Sequence, residues 1–573
     1  MSTSRKGVKI LALLAGGSIA LAACSTGGDP STPEDTGDAP VEATKDITIT
    51  VGHEQEFNAY NNGTGTDNAI KNTIVLNQVQ TGFWEFGPDG SVQPNPEFGT
   101  YEKVSDEPLT VEYQINPDAV WSDGEQIDCD DIMLMWAANS GTYDEGEEIL
   151  FDTAGTTGFD LMEKPTCADG DKDFTIVYTE PYSDWIAGVS SILPAHIAEQ
   201  ESGTEDIVAA VEGDDVEALT AVAEFWNNGW RFDPGTIPEE LVPSSGPYNL
   251  GTWEPGQSIT LTANENYWGT PAVAQNIVVR FIEQEGQAQA LQNGDIQIAE
   301  PQPNPDVIAQ LEAVGDAITI EQGDEFTYEH LDFNFESAFS DPQLREAFAL
   351  CAPRDEIVDT LIAPVNENAE LIQSRFYLPF QAQYESVAGE IQDGSYDTAN
   401  IEASKAILDG AGLAGTEVRI GYQTPNQRRT NEVDLIRASC EQAGFVVTDA
   451  GQADFFEVGL SAGNFDVALF AWSGSPLVSG TSSTFETGGG NNNGKYTNPE
   501  VDELLAQLNV TPDQDEQAEI ISQIETILWD DLATIPLFAF PGVVAYDNTV
   551  SNVTFQPSQS SVTWNMHQWD IAS

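Results

Sequence analysis

His330 to Val358 reads HLDFNFESAFSDPQLREAFALCAPRDEIV. Asp341 followed by Pro342 is a helix start, because aspartate caps orphan N–H groups and proline suits the first helical position. Leu344, Phe348 and Cys351 then recur at i, i+4 and i+7, which buries one helix face. Asn498-Pro499 repeats the device ahead of Val501, Leu504, Leu505 and Leu508. Asp128 is likewise placed to cap a helix carrying Ile132, Met133 and Trp136. Strand signals alternate with these helices: Asp46 to Val51, Thr110 to Ile115, Phe174 to Tyr178, Ser258 to Thr262 and Asn276 to Ile282. The pattern is that of a mixed α/β protein with no fixed-period repeat and no Gly-rich phosphate loop.

The composition bounds the chemistry. A length of 573 residues supports several cores, and 40% hydrophobic residues with 12 Trp argue for a folded body. The charge is extreme, with 95 acidic against 19 basic residues and a net of −76. Nucleic acid and anionic membrane surfaces are therefore excluded as electrostatic partners. The acidity runs along the whole chain and marks no site; a saline habitat and a general acidic bias of the source both account for it. No G-x-S-x-G, no H-E-x-x-H and no clustered histidine is present, so no catalytic residue is assigned and an enzyme is not expected. No cofactor or metal is expected either, since the four histidines are scattered and the cysteines lack a close pair.

At the N-terminus, Arg5, Lys6 and Lys9 precede an apolar run from Ile10 to Ala20, too short for a comfortable membrane span. It closes on Leu21-Ala22-Ala23-Cys24, which resembles the lipobox of bacterial lipoproteins. That resemblance implies removal of residues 1–23 and acylation of Cys24, holding the mature chain at the outer face of the cell membrane. The three basic residues lost would take the net charge to −79. Ser25 to Ala43 is Gly, Pro, Ser, Thr, Asp and Glu with almost nothing apolar, so residues 24–45 read as a flexible tether.

Five ordered blocks carry a second resemblance. They are VWSDGEQIDCDDIMLMWAA from Val120, SSGPYNLGTWEPGQSITLTANENYW from Ser244, ALQNGDIQIA from Ala290, the His330–Val358 stretch, and FDVALFAWSGSP from Phe465 with KYTNPEVDELLAQL from Lys495. Together the chain resembles the family 5 extracellular solute-binding proteins, the oligopeptide and dipeptide receptors of ATP-binding-cassette (ABC) importers. The resemblance implies a periplasmic-binding-protein-like α/β fold of two mixed-sheet lobes with a hinge and an inserted third domain. Domain I would comprise residues 46–85, 236–322 and 537–573, domain II residues 86–235, and domain III residues 323–536. Hinges fall near Glu325 to Phe335 and near Pro536 to Val544. Most block residues read as fold-holding: Gly124 and Asp123 suit a turn, Trp121 is core, and Arg345 is expected to pair with a carboxylate.

The ligand would lie between domains I and III, and the partners implied are a small solute, above all an oligopeptide, and an ABC permease. The protein is expected to act as a monomer. Expected ligand contacts are Glu54 and Phe57 after the first strand, Asn334 at the hinge, Trp472, Ser473 and Ser475 at a strand end, and Asn492 in a Gly/Asn loop. Trp472 would stack on ligand while its small neighbours admit a peptide main chain. Peptide receptors of the family place an aspartate soon after that tryptophan, for the peptide's amino terminus. Here no acid follows before Glu486, so Glu54, Glu56 or Glu486 substitutes, or the ligand lacks a free amine. An envelope regulator without solute uptake and a receptor for an oligosaccharide or nickel chelate are the alternatives. With Cys24 set aside, four cysteines remain and three pairings are open. Cys129–Cys167 and Cys351–Cys440 are favoured because each pair falls inside one implied domain, with free thiols as the alternative.

Overall fold

In the computed structural model, which describes residues 44–144, 149–189, 192–391, 394–460, 462–472, 474 and 476–572, the capped starts are realised. Pro342–Cys351 is a helix whose Gln343 N–H reaches the Asp341 carboxylate at 2.9 Å. Pro499–Asn509 is another, with Glu500 N–H on the Asn498 side-chain oxygen at 2.9 Å. Cys129–Asn139 opens on a full capping box built from Asp128 and Asp131. The signal segment, Cys24 and the tether up to residue 43 lie outside the described residues, and the tether expected to run to 45 ends earlier, since Lys45 opens the first strand and its N–H binds Val273 O at 2.8 Å. No helix of the described residues is long and apolar enough to cross a membrane.

Ten strands form one mixed sheet. Its order is Val446–Asp449, Glu417–Gly421, Val467–Trp472, Ile318–Phe333, Thr534–Asp547, Ile298–Ala299, Lys45–His53, Ala274–Phe281, Ser258–Ala263 and Tyr248–Glu254. The two central strands, of 16 and 14 residues, run antiparallel through both halves of the sheet. Their pairing is interrupted: Asp324 lies opposite Pro541, yet Tyr328 lies opposite Ala539. Three residues on one strand therefore face one on the other, and Pro541 has no N–H to offer the ladder. Both long strands lose register at this point.

Hydrophobic packing separates on either side of that break. One core gathers Ile49, Val51, Ile277, Val279 and Val544 from one half of the sheet, with Trp569 from the C-terminal segment. It also includes Val111, Ile132 and Phe174, which belong to the segment between residues 86 and 235. That segment carries its own three-stranded antiparallel sheet, Gly99–Asp106, Leu109–Ile115 and Asp173–Val177. A second core holds Leu331, Phe348, Val418, Val467, Ile524 and Phe538.

Bonds Cys129–Cys167 and Cys351–Cys440 are both formed, one in each core. Closing loops of 38 and 89 residues, each contributes on the order of 3–5 kcal/mol by restricting the unfolded chain. Trp121 is fully buried, with its indole N–H on Asp131. Arg345 departs from expectation. Its guanidinium donates to the carbonyls of Phe339, Ser340 and Asp531 instead of a carboxylate, and lies 4.5 Å from the Phe335 ring centre. It thereby satisfies orphan carbonyls where a short helical turn meets the capped helix.

Candidate functional site

The register break is where the polypeptide opens into cavities. Phe326, inside the unpaired Glu325–Thr327 step, donates its N–H to Pro557 O at 3.0 Å and accepts from Gly474 N at 3.2 Å. One residue thus touches the C-terminal segment and the loop after Val467–Trp472. It borders three cavities, of about 350, 120 and 560 Å³. A further cavity of about 260 Å³, lined by Gln78, Trp84 and Trp564, does not border the break.

The 350 Å³ cavity is lined from both sides of the break: His53, Glu54 and Glu300 on one, Arg428 and Gly474 on the other, with Glu325 and Phe540 from the long strands. Its charges are unbalanced. Burial, reinforced by nearby Glu325, pushes the Glu300 carboxyl up to about 8. Burial likewise pushes Glu325 up to about 7, against the pull of Arg428. Glu300 accepts the Ser561 hydroxyl and the Val562 N–H, but neither glutamate has an ion-pair partner among the described residues. Arg428 is the cation of this lining, and it is engaged: Nη2 meets Glu329 at 2.9 Å, Nε meets Glu432 at 3.2 Å, and the group lies 4.2 Å from the Phe540 ring centre. Burial lowers His53 to about 4, so its imidazole is neutral at pH 7. Such a chamber favours a positive group on its occupant.

The 120 Å³ cavity is lined by Phe326, Tyr328, Arg375, Trp472 and Asn491, among others. Trp472 stacks on His330 at 5.8 Å and meets Phe470 edge-on at 5.1 Å, which fixes its ring. Among the described residues its buried indole N–H has no hydrogen-bond partner. Arg375 is already held by Glu525 at 2.5 Å, both side chains being fully buried.

Among the residues expected to bind ligand, Glu54 and Trp472 line cavities. Ser473 and Ser475 lie outside the described residues, although Gly474 between them lines both inner cavities. Three expectations are corrected. Phe57 is 1% exposed and packs edge-on against Trp253 at 5.6 Å, because its short loop folds back onto the sheet. Asn334 gives its amide to the carbonyls of Phe465 and Gly463 and takes the Glu336 N–H, so it braces a turn. Asn492 binds Glu486 O, Tyr496 O and Tyr496 N and closes its own loop.

Of the suggested substitute acids, Glu56 is taken by the Trp253 indole and the Gly256 N–H, and Glu486 is exposed. Glu300, Glu325 and Phe326 were missed. Glu300 directly follows the quoted ALQNGDIQIA block, and Glu325 starts the expected hinge, but nothing marks either among 95 acids. Among the described residues no three His, Cys, Asp or Glu side chains gather to hold a metal ion.

The geometry can be set beside known proteins. An uncharacterized lipoprotein of Mycobacterium tuberculosis is 28% identical over 533 residues, covering 90% of this chain and 91% of that one. A periplasmic EDTA-binding protein has the same fold, with a TM-score of 0.82, 22% identity and coverage of 92% of this chain and 97% of that one. The oligopeptide-binding protein AppA of Bacillus subtilis, solved with a nonapeptide, aligns with a TM-score of 0.71 and 17% identity over 93% of this chain and all of that one. A family model described as bacterial extracellular solute-binding proteins, family 5 Middle, matches residues 93–494. With well over half its length matched, this chain belongs to the family 5 bacterial extracellular solute-binding proteins.

Proposed function

We propose that this protein is the substrate-binding component of an ABC importer, held outside the cell membrane by a lipid on Cys24. It captures an extended solute carrying an amine, an oligopeptide first of all, and passes it to the permease. The carrying observation is the chamber at the register break, reached by both halves of the sheet and lined by Glu300 and Glu325, which have no ion-pair partner among the described residues, while its one arginine, Arg428, is engaged by Glu329 and Glu432. In this reading domain I (46–85, 236–322, 537–573) and domain III (323–536) swing about Glu325–Thr327 and Phe540, and domain II (86–235) travels with domain I through their common core. A ligand touching both sides favours the closed arrangement, which is what a permease can sense.

Glu54, Glu300 and Glu325 take the role of the aspartate missing after Trp472, receiving the ammonium. Trp472 offers its ring and indole N–H, while Ser473 and Ser475 let a main chain approach beside Gly474. The neighbour named for EDTA binding shares the fold at 22% identity, and its ligand is its own. Here a polyanion would meet three acids and an arginine already engaged. The open cavities also favour solute capture over an envelope regulator, whose cleft its own side chains would fill.

The test is thermal-shift screening of the mature protein against short peptides with free and acetylated amino termini, followed by native mass spectrometry. Free-amine peptides are expected to raise the melting temperature and remain bound in the gas phase. Absence of any shift across peptides, sugars and nickel chelates would remove the proposal.

A further inference from the structure

Resting on the peptide reading, we infer that the 560 Å³ cavity is a distal subsite for the uncharged far residues of an extended peptide. It is walled by Ser183 and Trp185 from the segment between residues 86 and 235, and by Phe380, Gln383 and Leu477 from the second half of the molecule. Two aspartates line it as well, but both are occupied, Asp89 by Ser91 and Asp184 by the Ser479 and Val478 N–H groups. The rest of the lining combines amide and hydroxyl groups with apolar rings, which suits main-chain amides flanked by small side chains. Ser183 is 6% exposed, yet among the described residues its hydroxyl has no hydrogen-bond partner, a cost normally tolerated only where a ligand or water completes the bond. Phe380 is 39% exposed, unusual for a phenylalanine, and stands edge-on to Phe326 at 5.0 Å.

Phe326 links this space to the other two, since it borders all three. A solute anchored by its amine at Glu300 and Glu325 therefore passes Trp472 before its tail arrives here. Each extended residue advances about 3.3 Å, so only peptides longer than a few residues reach the far cavity. The wall is clasped shut next to it. Asp184 accepts the N–H groups of Ser479 at 2.9 Å and Val478 at 3.4 Å, and Ser183 N–H binds Asn509 O at 2.8 Å. The segment between residues 86 and 235 thus contributes to the binding surface as well as to the fold.

Calorimetry of the mature protein with a lysine-headed alanine tripeptide and its heptapeptide counterpart tests this. The heptapeptide is expected to bind at least about tenfold more tightly, a difference of about 1.4 kcal/mol. Ala382→Trp, at an exposed position on the cavity wall, is expected to erase that advantage while leaving tripeptide affinity and melting temperature unchanged. A heptapeptide bearing a photoreactive phenylalanine near its C-terminus is expected to label residues around Ser183 or Phe380. Equal affinity for the two peptides, an advantage that survives Ala382→Trp, or labelling elsewhere overturns the subsite alone. Failure of both peptides to bind overturns the peptide reading and the subsite with it.

Discussion

Glu525, Glu329 and Glu432 are fully buried, and each meets an arginine: Arg375 at 2.5 Å, Arg429 at 2.6 Å and Arg428 at 3.2 Å. Glu300 and Glu325 at the register break have no such partner among the described residues. The chain owns 19 basic residues against 95 acids, so cations are scarce. For these three glutamates an arginine is committed, whereas buried Asp131 is held instead by the Trp121 indole and the Asp128 and Ala195 N–H groups. In the proposed reading the cleft carboxylates, left without a committed arginine, receive a charge brought from outside.

Breaking the paired side should cost most. Arg375→Ala leaves Glu525 charged and buried, and a loss of about 3–5 kcal/mol in urea-unfolding stability is expected. A loss under about 1 kcal/mol would mean that pairing is not what separates the two regions. Asn492→Ala should lower stability by about 1–3 kcal/mol, since Tyr496 N–H loses its acceptor, while solute affinity stays unchanged. An equal fall in affinity would return Asn492 to the site. Trp472→Phe removes the unpartnered indole donor, and peptide affinity should drop by about 1–2 kcal/mol with no loss of unfolding stability.

The smallest effect concerns pH. Glu300, with a folded pKa near 8 against an ordinary value of 4.5, binds more protons folded than unfolded between those limits. Its contribution to ligand-free stability therefore falls as pH rises from about 4.5 to 8. Glu300→Gln should flatten that fall in thermal melts and leave the empty protein more stable than the parent at pH 8. An unchanged pH profile would show the carboxyl already compensated.

The fold was legible because its signals are local. Caps at Asp128, Asp341 and Asn498 and the strand alternations at Thr48–Val51 and Ser258–Thr262 describe short segments that tertiary packing had no reason to override. The site was legible in part. Trp472 ends a strand that must reach the sheet break, so its place follows from topology. Phe57 and Asn334 were misplaced because a loop beside a cleft offers both inward and core-facing positions, and only side-chain packing decides between them. Glu300 and Glu325 were illegible for another reason. Their distinction is the lack of an ion-pair partner among the described residues, a property of three-dimensional neighbours that no spacing records. Arg345 misled similarly: an arginine after a helix-opening proline reads as an ion-pair donor, but three carbonyls reached it first.

The most direct measurement is calorimetry of a lysine-headed peptide binding to the mature protein across pH 6 to 9, in buffers of differing ionisation heat. Carboxyls near 7 and 8 must lose protons to receive an ammonium. Net proton release at pH 7 and an affinity that strengthens as pH rises, both abolished in the Glu300→Gln, Glu325→Gln double variant, are the predicted results. Binding that releases no protons and holds constant strength across that range would contradict the account.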